Sequence, residues 1–199
     1  MNIEIERIAD IVSLYLKEFP DWRIMQQRID GGEHCSIKEM CEVVVEDEAR
    51  SLTRTLPIDQ FQSPVDIRTL IYTKGEVTEE GENLTCELPA DFCRLHSLKF
   101  SGWPQALSEE NRGDSQRLAL GDAAPEWLAR RKRRPWIRLD NAGDKGVSLV
   151  CSEYKKGWPE TATYIPLPAY DATSGTLRNV DPAIIGALSK RIAEIIGRD

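Results

Sequence analysis

Apolar residues recur along the chain with two different periods. Ile5, Ile8, Ile11, Val12, Tyr15, Leu16 and Phe19 fall at helical spacing, which predicts a helix over residues 3–19 that ends before Pro20. Residues 21–29 can add a short helix ahead of the breaker Asp30-Gly31-Gly32. Ser36-Ile37-Lys38-Glu39 then has the spacing of a capping box, in which the hydroxyl accepts from the backbone three residues on and the glutamate reaches back. Behind it Ile37, Met40, Cys41, Val44, Val45, Ala49 and Leu52 form one stripe, and Glu39, Glu42, Glu46, Asp47 and Arg50 lie opposite. A helix over about 37–54 follows, and Pro57 blocks its continuation.

From residue 64 the pattern shortens. Ile67, Leu70, Ile71 and Tyr72 suggest a strand, and residues 84–88 alternate apolar and polar as a half-buried strand does. Leu88-Pro89-Ala90-Asp91-Phe92 breaks that strand, and residues 94–100 resume as another. Residues 101–124 are rich in Gly, Ser, Asn and Asp and read as a long polar loop. Pro125 opens a short helix, residues 136–139 and 147–151 form a hairpin around a turn at 141–146, and residues 161–165 give a third strand of this region. Residues 166–180 read as a loop. Asp181-Pro182 then opens the last helix, with Asp as cap, Pro in the first position and a stripe of Ile184, Ile185, Leu188, Ile192, Ile195 and Ile196.

This order of helices, strands and a final helix predicts an α+β fold rather than an alternating βαβ pattern. The expected layout is a single domain over 1–199. Residues 1–60 and 181–199 would form its helical core, and a small antiparallel β region over 64–166 would be inserted between them.

Composition narrows the class. With 199 residues, 41% hydrophobic and 30% charged, the chain can bury roughly 70% of its unfolded surface, which excludes a disulfide-stapled miniprotein and a disordered chain. No apolar run approaches the ~18–20 residues of a membrane span, and the first ten residues lack a basic region followed by an apolar one. The expectation is therefore a protein without membrane span or secretory signal, in the cytoplasm. Cys35, Cys41, Cys86, Cys93 and Cys151 are odd in number and contain no CxxC, which fits reduced thiols. Cys93 and His96, with Cys86 or with His34 and Cys35, supply half of a zinc site, but a second half at similar spacing is missing, so no metal is expected.

The net charge of -7 is uneven. Residues 1–100 hold 11 basic and 20 acidic side chains, and residues 101–199 hold 15 and 13. The acidic balance argues against non-specific wrapping by DNA but not against a channel through which DNA slides.

Chemical motifs are sparse. Neither GxGxxG nor GxxxxGK[ST] occurs, so no nucleotide cofactor is indicated. Cys93 with His96, or Cys35 with His34, could pair as nucleophile and base, yet such near neighbours in sequence rarely do so. No catalytic residue is expected. The sharpest local feature is Arg130, Arg131, Lys132, Arg133, Arg134, Trp136 and Arg138. These residues could contact phosphate with Trp136 stacking, meet an acidic partner or subunit, or simply terminate the helix begun at Pro125.

One segment resembles a family. Leu88-Pro89-Ala90-Asp91-Phe92-Cys93-Arg94-Leu95-His96-Ser97-Leu98 is similar to the LPxDFxRLxSV segment of head–tail adaptor (connector, head-completion) proteins of tailed double-stranded-DNA phages and prophages. Thr163-Tyr164-Ile165-Pro166-Leu167-Pro168 resembles the strand and proline pair that lead into their final helix. The likeness covers most of the chain in layout and about twenty residues in sequence. Within the motif, Leu88, Pro89, Asp91, Phe92, Arg94 and Leu95 have structural roles to play: Pro89 ends a strand, Asp91 holds the corner by accepting from backbone amides, and Phe92 and Leu95 fasten the next strand. The resemblance implies a non-enzymatic, ring-forming virion protein. Such a protein docks on a portal, touches neighbouring adaptor subunits, offers a surface to a tail component and extends a channel through which DNA passes. Residues 101–160, with the basic run, have no counterpart in it. Two other classes stay open: a nucleic-acid-binding accessory protein using residues 130–138, and a small cytosolic enzyme centred on Cys93, His96 and Asp91.

Overall fold

The computed structural model describes residues 1–21, 26–27, 29, 31, 35–77, 83–111, 135–141, 146–152 and 158–198. The fold is α+β, and the chain forms two compact units: residues 1–63 with 166–199, and residues 64–165.

The first unit is built on three helices: α1 (Ile5–Leu16), α2 (Ile37–Thr55) and α4 (Ile185–Ile196), each packed against the other two. The stripe on α1 buries Ile5, Ile8, Val12 and Leu16; α4 buries Leu188, Ile192 and Ile196 against it. On α2 the capping box is formed: Ser36 Oγ accepts from Glu39 N–H at 3.3 Å, and Ser36 N–H donates to Glu39 Oε2 at 2.8 Å. The buried line is Cys41, Val45, Ala49 and Leu52, whereas Met40 and Val44 are only half-buried, as is Tyr15 on α1. The stripe read from the sequence is thus wider than the one that packs.

Two expectations are corrected in this unit. The first two residues of the predicted 3–19 helix, Ile3–Glu4, form a strand, β1. The predicted 166–180 loop contains β9 (Ala169–Asp171) and β10 (Thr176–Arg178), which close an antiparallel sheet in the order β1-β10-β9. The α4 entry is as read: Asp181 caps by accepting from Ala183 N–H at 2.9 Å, and Pro182–Ile184 make a 3-10 turn first.

The second unit holds two sheets. One has the order β2 (Val65–Asp66), β8 (Thr161–Pro166), β5 (Phe92–Lys99). The other runs β3 (Glu76–Val77), β4 (Asn83–Glu87), β7 (Val147–Ser152), β6 (Ile137–Asn141), antiparallel throughout, with Leu84 opposite Cys151 and Leu139 opposite Leu149. Ile67, Ile71, Leu84, Leu95, Leu98, Phe100, Ile137 and Leu149 form its core. The strand predicted over 67–72 is instead helix α3 (Arg68–Lys74). Ile67 and Ile71 are four residues apart, one above the other on a helix, and both are buried. Gly75 then lets the chain turn back onto β4: a Cβ there would stand 2.4 Å from the Ile71 carbonyl oxygen and 2.9 Å from Leu84 Cδ1.

The polar loop is anchored where it begins. Leu98 and Leu107 exchange backbone hydrogen bonds of 2.7 and 2.8 Å, and Trp103 and Leu107 are buried, Trp103 edge-on to Phe100. Residues 112–124 and the helix predicted from Pro125 lie outside the described residues.

Candidate functional site

The resembling motif forms the corner at which the chain passes from one sheet of the second unit to the other. β4 ends at Glu87, and Leu88 N–H extends its ladder to the Val147 carbonyl at 2.9 Å. Proline has no N–H to continue a ladder, so Pro89 stops it; its carbonyl accepts from Phe92 N–H at 2.9 Å and closes a tight turn over Ala90 and Asp91. β5 begins at Phe92. Leu88 and Phe92 pack at the border of the core, and Leu95 is fully buried within it.

Polar members of the motif are tied down as well. Asp91 Oδ1 accepts from the Tyr164 hydroxyl at 2.8 Å, and the Phe92 ring stacks on the Tyr164 ring at 5.8 Å and 20°. Burial, then the hydrogen bond and charge of Asp91, push the Tyr164 phenol above its ordinary range, so it stays a donor. Arg94 is buried along the strand and its guanidinium meets Glu110 at 2.9 Å. The Leu95 carbonyl accepts from Glu109 N–H at 3.0 Å. The corner and the strand it opens therefore link β4, β5, β8 and residues 109–110 of the loop. Asp91 holds Tyr164, seventy-three residues away in the second resembling segment, a pairing that the sequence reading did not make. The alternation within residues 161–165 was the available signal.

Cys93 and His96 stand three positions apart on β5, so they belong to opposite faces of that strand. His96 Nδ1 lies 3.0 Å from Thr163 Oγ1, across from β5 to β8. Cys93 is half-buried, Cys35 is exposed, and His34 lies outside the described residues. Desolvation pushes the thiols of Cys41 and Cys151 up to about 12 and that of Cys86 up to about 11, which holds all three protonated and unreactive at neutral pH. Among the described residues no three His, Cys, Asp or Glu side chains are grouped to hold a metal ion. No described helix is long and apolar enough to cross a membrane.

Of the basic stretch, Arg130, Arg131, Lys132, Arg133 and Arg134 lie outside the described residues. Trp136 is half-buried beside the edge strand β6. Arg138, on β6, is taken by its strand neighbour: Nε meets Asp140 Oδ1 at 2.7 Å and Nη2 meets Oδ2 at 2.8 Å. The acidic side of α2 is partly used within the chain too. Glu39 closes the capping box, and Glu46 pairs with Arg50 and accepts from Tyr170 N–H at 3.3 Å.

Against this geometry, no family model, no curated protein and no solved structure matches the chain.

Proposed function

We propose that the protein is a non-enzymatic assembly factor of the head–tail adaptor kind. It docks on a portal ring beside further copies of itself, prolongs a channel that DNA traverses and presents a surface to a tail component. The observation that carries this reading is the use made of the 88–95 segment. Its proline, aspartate, aromatic and arginine are all spent on a rigid corner that joins the two sheets of one unit. A segment spent on shape rather than chemistry suits a protein whose work is to be a fixed part in an assembly. The α+β layout, with both ends of the chain contributing to one three-helix unit, supports the same reading.

The test is co-assembly. Purified protein is mixed with the portal ring of the same phage or prophage and examined by sedimentation and electron microscopy. A further ring of density stacked on the portal is the expected outcome. Portal rings that stay bare across micromolar protein concentrations would sink the proposal.

A further inference from the structure

The chain leaves the three-helix unit after Ser63 and returns to it after Ile165. The two legs carry prolines, Pro64 on the way out and Pro166 and Pro168 on the way back, whose rings restrict the local backbone. On the helical side each leg is also gripped at its backbone by charged side chains. Asp181 holds the outgoing leg: its Oδ2 accepts from Gln62 N–H at 3.0 Å and Ser63 N–H at 2.7 Å, while Oδ1 serves Ala183 at the start of α4. The returning leg runs into β9, which pairs with β10, and is also held by the i,i+4 pair Glu46 and Arg50 on α2. Arg50 Nε donates to the Pro168 carbonyl at 3.0 Å, Glu46 Oε2 accepts from Tyr170 N–H, and the two side chains pair with each other.

The two grips differ in one respect that decides their behaviour. Asp181 is a buried residue, 7% exposed. The side chains of Arg50 and Glu46 are 34% and 31% exposed. A buried carboxylate holding three N–H groups is screened far less than a half-exposed ion pair, which salt weakens. None of the apolar side chains that hold the three helices together takes part in either grip.

We infer that the legs are held by two unequal ionic clamps: a permanent one at Asp181 and a releasable one at Glu46 and Arg50. Screening of the Glu46–Arg50 pair frees the Pro168 carbonyl and the Tyr170 N–H and leaves the β9–β10 ladder, the outgoing leg and the helical core in place.

Amide hydrogen exchange on the intact protein tests it. Between about 0.05 M and about 1 M sodium chloride, the Tyr170 amide should lose about tenfold in protection, while Gln62, Ser63 and the core amides of Ile192 and Ala193 hold theirs. In Arg50→Met, which keeps the length of the stem, Tyr170 should exchange fast at low salt and lose its salt dependence. Asp181→Ser, still able to cap Ala183 but too short to reach the leg, should expose Gln62 and Ser63 and leave Tyr170 unchanged. Equal salt sensitivity at both legs, no salt effect at Tyr170, or an unchanged Tyr170 in Arg50→Met would each overturn the inference.

Discussion

At the scale of single residues, the described polar groups of the 88–95 segment hold strands and turns. Asp91, read from the sequence as a corner residue that accepts from backbone amides, takes the hydroxyl of Tyr164. Arg94, a motif cation, is buried and pairs with Glu110. The buried thiols give a pH prediction. Cys41, Cys86 and Cys151 have folded values of about 12, about 11 and about 12, because burial disfavours the thiolate. An unfolded thiol titrates near about 8.5. The folded value is the higher one, so this contribution to stability is complete below the unfolded value. It is lost as pH rises, because the unfolded chain releases protons that the folded chain keeps. The loss should approach about 1.4 kcal/mol per pH unit for each thiol between those values. Urea midpoints measured from pH 7 to 10.5 should fall accordingly, and Cys151→Ala should flatten the decline by one thiol's share. A decline of the same slope in that variant would mean that Cys151 is not desolvated as described.

Elements explain what the sequence could and could not announce. α1, α2 and α4 were legible because a stripe sustained over three or more turns has no competing strand reading. Residues 67–72 were not. Four apolar residues among six fit either period, and the choice was made by packing, through Ile67 and Ile71 on one helical face and the close passage of Gly75 over Leu84. β9 and β10 escaped because strands of three residues leave almost no alternation to detect, and two prolines just before them suggested a loop. The width of a helical stripe is equally hard to read, since Met40, Cys41, Val44 and Val45 are all apolar and only the neighbouring helices decide which are enclosed. That gives the prediction at this scale. Val45→Ala removes two methyl groups from a fully enclosed site and should cost about 2 kcal/mol, whereas Val44→Ala, half-buried, should cost less than half as much. Equal shifts of the urea midpoint would show that α2 is rotated relative to this description.

For the whole molecule, the charge asymmetry noticed along the sequence becomes an asymmetry between units. Residues 1–63 and 166–199 carry 11 basic and 17 acidic side chains, and residues 64–165 carry 15 and 16. Five of those 15 cations are consecutive, from Arg130 to Arg134. Subunits with unlike faces favour head-to-tail contact, which closes into a ring when the rotation permits. Individual contacts of that kind can be too weak to hold free subunits together and still suffice once a template raises the local concentration. The acidic side of α2, Glu39, Glu42, Glu46 and Asp47, is a narrower complement than its composition suggested, since Glu39 and Glu46 are engaged within their own chain, Glu42 is half-buried beside Tyr170, and Asp47 is exposed. Reversing charge with R131E and R133E together should therefore weaken assembly on a portal ring by about tenfold or more at low salt, with the difference shrinking as salt screens it. The same variant should retain DNA no worse than the parent at any salt concentration. Undiminished assembly would remove residues 130–134 from the subunit contact. If DNA retention fell with a steep salt dependence while assembly persisted, those cations would be phosphate ligands, and the protein would be a nucleic-acid-binding accessory factor instead of an adaptor.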